Sequence, residues 1–189
     1  MSPLGAARAV ITSSADFGKL ELIETKTISG TVAQVDFTSI KESTYNVHLL
    51  MLSNMLTETD AKRVALRFFE SGSIEIASVY QFANFVLEAG GSQANVASTG
   101  SNTLRITDNT GNDTGESSNT YVYLYNLGDS SKYSFITCQS SAITSSAVGV
   151  TEFGSGVLPQ TSTVDGIRVL GDGAINLTGG TMSLYGIKE

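Results

Sequence analysis

Apolar residues along this chain come in short runs, and polar, Gly-rich or Ser-rich punctuation separates them. Val35 and Phe37 alternate with Gln34 and Asp36 at a period of two, the spacing of a half-buried strand. The clearest case is Tyr121-Val122-Tyr123-Leu124-Tyr125. Its three tyrosines share one face of a strand and Val122 with Leu124 share the other, which the pattern predicts to face the core. Further strands are predicted over 20–28, 31–37, 45–52, 103–107, 119–127, 132–137, 147–153, 164–170 and 182–187. Residues 61–70 fit either a helical face (Ala61, Val64, Ala65, Phe68) or an alternating strand (Val64, Leu66, Phe68). The strand is preferred because strands flank it on both sides. Ile74–Ser78 continues that pattern, 79–88 reads as a helical turn or an irregular strand, and 89–102 and 108–118 read as loops. About ten strands at turn spacing predict an all-β chain, an antiparallel β-sandwich of jelly-roll type.

The ends divide the chain into two parts. Residues 1–18 have breakers and small residues but no sustained period, and read as an extended N-terminal arm; 19–189 is the sandwich domain. Leu4, Val10 and Ile11 are poor candidates for permanent exposure and mark the arm as a partner-binding segment. The first nineteen residues contain no continuous apolar stretch of the kind a signal peptide needs, and no run approaches the ~20 residues that span a bilayer.

Charge narrows the partners. Eighteen acids against eleven bases leave a net charge of −7, and the densest basic cluster is the pair Lys62-Arg63. A nucleic-acid binder needs a positive stripe and an anionic membrane attracts one, so neither is expected as a partner.

Candidate chemistry is sparse. His48 is the only histidine and lies in the most apolar strand, where a satisfied core or interface role is expected. Cys138 is the only cysteine, in a strand-like run where it reads as a small buried hydrophobe. No Ser/His/Asp or Cys/His set with local support and no phosphate-cradling loop ending in Lys-Ser/Thr occurs, so neither catalysis nor a cofactor is expected. One loop carries hard oxygen ligands that suit a calcium-like cation: Asp108, Asn112, Asp113 and Glu116. It lacks EF-hand spacing, and a solvated loop between strands is the plainer reading.

Several segments follow one another in a familiar order. They are Val35-Asp36-Phe37-Thr38-Ser39, Ser43-Thr44-Tyr45-Asn46 leading into an apolar strand, and Thr59-Asp60-Ala61. Later come Gly154-Ser155-Gly156, Val164-Asp165-Gly166-Ile167-Arg168 and the terminal Gly179 to Lys188 stretch ending Tyr185-Gly186-Ile187-Lys188. In this order, over about residues 20–189, the chain resembles virion surface β-sandwich proteins of tailed bacteriophages, marine and cyanophage-like ones in particular. The resemblance implies a virion structural protein made in the host cytoplasm, of the capsid decoration (cement) type or the tail fibre type. It implies the major capsid protein or other virion proteins as partners, host surface glycans as the partner of a fibre, and a homo-oligomer, expected to be a trimer. It brings no catalytic residues with it.

Overall fold

The computed structural model describes residues 18–189. The arm, with Leu4, Val10 and Ile11, lies outside the described residues, apart from Gly18. The described residues contain no helix and form thirteen strands. In chain order these are β1 (Leu20–Thr27), β2 (Gln34–Phe37), β3 (Val47–Thr57), β4 (Val64–Glu70), β5 (Ser73–Ile74), β6 (Tyr80–Glu88) and β7 (Gln93–Ser101). Then come β8 (Leu104–Arg105), β9 (Ser118–Tyr125), β10 (Ser134–Ile143), β11 (Gly149–Leu158), β12 (Val164–Gly171) and β13 (Leu177–Ile187). Eight of them make one antiparallel sheet in the order β1-β13-β3-β9-β10-β11-β6-β7. Five make the other, in the order β2-β12-β4-β5, with β8 also paired to β4. The first and last strands are neighbours, and Gly18 N–H donates to the Lys188 carbonyl at 2.7 Å.

The core fills the space between the sheets. Leu50, Leu52, Val122, Leu124 and Ile136 from the larger sheet meet Phe37, Leu66, Phe68, Ile167 and Val169 from the smaller one. Val122 and Leu124 are fully buried, as the alternation predicted, while Tyr121, Tyr123 and Tyr125 lie on the opposite face. Residues 64–70 form the strand that was preferred over a helix. Tyr80 ties β4 to β6: its hydroxyl accepts from Phe68 N–H at 2.9 Å and donates to the Glu75 carbonyl at 3.2 Å.

Three expectations need correction. Residues 89–102 are not one loop: 93–101 form β7, which pairs with β6. Its Ala, Ser, Thr and Asn side chains suit an edge strand, where a small residue loses little by being half exposed. Ile74–Ser78 does not continue as a strand beyond Ile74. The strand predicted over 147–153 does not stop at Phe153, since β11 runs on through Gly154-Ser155-Gly156 to Leu158. These glycines serve close packing: a methyl group on Gly154 would lie 2.7 Å from the Asn84 Cα, and one on Gly156 would lie 2.5 Å from the Leu104 side chain.

Candidate functional site

His48 projects inward from β3 and is fully buried. Its Nε2 lies 2.8 Å from the Ile40 carbonyl, so that nitrogen carries the proton and donates it. The Tyr45 ring meets the imidazole edge-on, with centroids 5.9 Å apart. Burial pushes the His48 pKa below its ordinary 6.5. The neutral ring is therefore a core group with one satisfied donor.

This has a measurable consequence. The unfolded chain takes up a proton on His48 near pH 6.5 and the folded chain resists it, so stability falls as pH drops from about 7 towards 5. The slope approaches at most about 1.4 kcal/mol per pH unit for one proton. His48→Gln keeps a donor for Ile40 and does not titrate, so urea midpoints of that variant should stay level over the same range. An unchanged slope would remove His48 as the cause.

Cys138 is buried on β10, and burial pushes its thiol up to about 12. It is a packing residue with almost no thiolate at neutral pH.

The candidate cation ligands have other partners. Asp108 Oδ1 accepts from Arg105 Nη2 at 2.5 Å and lies 3.9 Å from Arg63 Nε. Asn112 Nδ2 donates to the Glu58 carbonyl at 3.0 Å. Asp113 and Glu116 are brought together, but by a turn in which Asp113 N–H donates to Glu116 Oε2 at 2.9 Å. Among the described residues no three His, Cys, Asp or Glu side chains form a metal-holding group.

Between the sheets lies an ionic network that the sequence pattern did not single out. Arg105 on β8 is paired with Asp108 and, through Nε, with Glu152 Oε1 on β11 at 2.7 Å. Asn84 on β6 donates to the same Glu152 oxygen at 2.6 Å and, at 3.2 Å, to the Arg105 carbonyl. Glu152 is fully buried and Arg105 is 8% exposed. A hollow of about 250 Å³ opens beside them, lined in part by Arg63, Arg105, Asp108 and Val86. One guanidinium holds two carboxylates here, an arrangement that fixes β8 against β11 and β6. The signal was present in the alternation: Glu152 shares parity with Val150, and an acid at an inward position demands a partner.

The two outer faces of the sandwich differ in kind. On the smaller sheet Arg168 makes a two-pronged bond to Asp36, both contacts at 2.7 Å, stands over the Phe69 ring, and faces Arg67 across β4. That is an ordinary charged solvent face. The eight strands of the larger sheet contain five Asp, Glu, Lys or Arg residues, namely Glu21, Glu24, Lys26, Glu88 and Glu152. The registers place all five on the inner side. Its outer face instead carries Leu20, Leu22, Met51, Leu87, Tyr121, Phe135 and Phe153, seven of the nine large apolar residues that are exposed among the described residues. Phe85 and Phe153 pair at 5.6 Å between centroids, and Tyr121, Tyr123 and Tyr125 form a ladder with spacings of 6.1 and 6.5 Å. Tyr121 Oη donates to Gln139 Oε1 at 2.6 Å.

Compared with protein-family models and with curated proteins, the chain matches none.

Proposed function

We propose that this chain is a non-enzymatic structural protein of a tailed-phage virion, a decoration or cement protein on the head surface. In this reading it is made in the host cytoplasm, works as a homo-oligomer (a trimer) and docks on the major capsid protein with help from its N-terminal arm. The single observation that carries an assembly role is the charge-free apolar outer face of the eight-stranded sheet. Seven exposed large apolar side chains gathered on one sheet face exceed the singly scattered ones that soluble monomers ordinarily carry. The buried His48 and Cys138, and the pairing of Arg105 with Glu152 and Asp108, support a framework role over a reactive one. The phage assignment itself rests on the ordered motifs of the sequence.

The tyrosine ladder favours one second reading, a tail fibre or receptor-binding module that contacts host surface glycans. Aromatic rings at 6.1 and 6.5 Å beside the Gln139 amide offer stacking and hydrogen bonding to a sugar.

The test is where the chain sits in a density map of the intact particle. Sandwich density on the head at full occupancy supports decoration, and density at the tail alone replaces it with the fibre reading. A chain missing from purified particles overturns both. Deleting residues 1–18 should give a chain that no longer occupies the head; full occupancy by the truncated chain would remove the arm as anchor.

A further inference from the structure

We infer that the outer face of the eight-stranded sheet is the surface through which copies of this chain bind one another. The inference deepens the assembly reading above and takes from it only the claim that the chain assembles.

The first argument is electrostatic. The chain carries a net charge of −7. A basic partner would be met by acids at its docking surface, yet this face has none, because every charged residue of its strands points inward. A second acidic copy can approach through such a face without bringing like charges into contact, whereas at the smaller sheet Arg67 and Arg168 of one copy would meet those of the other.

The second argument is shape. The Phe85–Phe153 pair stands out from the sheet, with Phe153 46% exposed. Beside it is a hollow of about 360 Å³, floored by Ala83, Ala97 and Ser155 and bounded by Phe135. A smaller one of about 220 Å³ lies near Tyr121, at Ser53 and Ser141. One face thus bears both projections and the recesses to receive them, as self-association by symmetry requires.

The third is area. Eight strands at ~4.8 Å spacing and strands of about 27 Å give a face on the order of 900 Å². A standard interface takes roughly 800 Å² from each partner. Sheets packed face to face, about 10 Å apart, would bury the tyrosine ladder and the phenylalanines together.

Sedimentation equilibrium of the full chain tests this. The expected mass is twice the 19.8 kDa of one chain, because a face packed on its own copy closes as a pair. Phe153→Glu and Tyr121→Glu each place a charge on the face and should weaken association at least about 100-fold, since an unpaired buried carboxylate is costly. Gln34→Glu, on the smaller sheet, should leave the mass unchanged. Circular dichroism checks that each variant stays folded. Hydroxyl-radical footprinting of the unmodified chain needs no variant: Tyr121, Phe135 and Phe153 should be protected at high concentration and lose protection on dilution. A monomer at ~100 μM, an order of magnitude above a weak micromolar dissociation constant, overturns the inference. So does an oligomer that both charged variants leave intact, or one whose face stays unprotected. Chains found on the particle but monomeric in solution would sink this inference and spare the virion reading, whereas oligomers joined by this face but absent from particles would do the reverse.

Discussion

Glu152→Ala should cost about 3–5 kcal/mol of stability, the range for removing one partner of a buried ion pair. The cause is what remains. Arg105, 8% exposed, keeps Asp108 but loses the Glu152 oxygen 2.7 Å away, and the Asn84 amide loses an acceptor at 2.6 Å. The site also lies where Gly154 lets β11 approach β6 too closely for a side chain, so the sheet has little room to relax around the gap. Urea unfolding should show a lower midpoint with an unchanged slope, a shift on the order of 1–3 M given slopes of about 1–3 kcal/mol per molar for small proteins. The double replacement Arg105→Met/Glu152→Met should recover much of the loss, because it removes the buried charges along with their pairing. Asp108 would keep Arg63 as a neighbour in that variant. A single-variant loss below about 1 kcal/mol, the size of an exposed pair, would show that the network contributes as a surface pair does.

Leu124→Ala should be as severe, about 3–5 kcal/mol, from lost burial plus the cavity that remains. Leu124 is fully buried at the centre of the larger sheet, opposite His48 on one neighbouring strand and Ile136 on the other. Both neighbours are held in place, His48 by Ile40 and Ile136 by its position within β10, so collapse into the space is limited. Thr137→Ala, one residue along from Ile136 but exposed on the outer face, should stay within about 0.5 kcal/mol. Thermal or urea unfolding of the two variants measures the difference, and equal losses would mean that the inward face had been assigned wrongly.

The two outcomes depend on the same question: which side of each strand faces in. On β9 the alternation answered it correctly, since Val122 and Leu124 are buried while Tyr121, Tyr123 and Tyr125 are not. On β11 hydrophobicity points the wrong way. Phe153 is the more apolar of the pair Glu152 and Phe153, yet Glu152 is buried and Phe153 is out. The same reversal occurs on β6, where Asn84 is buried and Phe85 lies outside. The inward sides of both strands also carry apolar residues, Val150 and Leu158 on β11 and Tyr80 and Val86 on β6, so parity with them, and not the hydrophobicity of one position, marks the core side.

By itself the sequence determined that this chain is all-β, because period-two alternation and frequent turn residues are local properties that each segment expresses alone. It also determined the scarcity of reactive chemistry, since one histidine and one cysteine can be counted without a fold. The tertiary structure alone decided three other things. It made 93–101 a strand, because a polar edge segment gains its order from hydrogen bonds to β6 and not from its own side chains. It turned Asp108 from a loop ligand into half of an ionic network, because Arg105, Glu152 and Asn84 come together only when three distant strands stack. And it set five charges inward and seven large apolar groups outward on one sheet, because facing direction is fixed by cross-strand register, which joins residues as far apart as Leu20 and Ile187 and has no local signature.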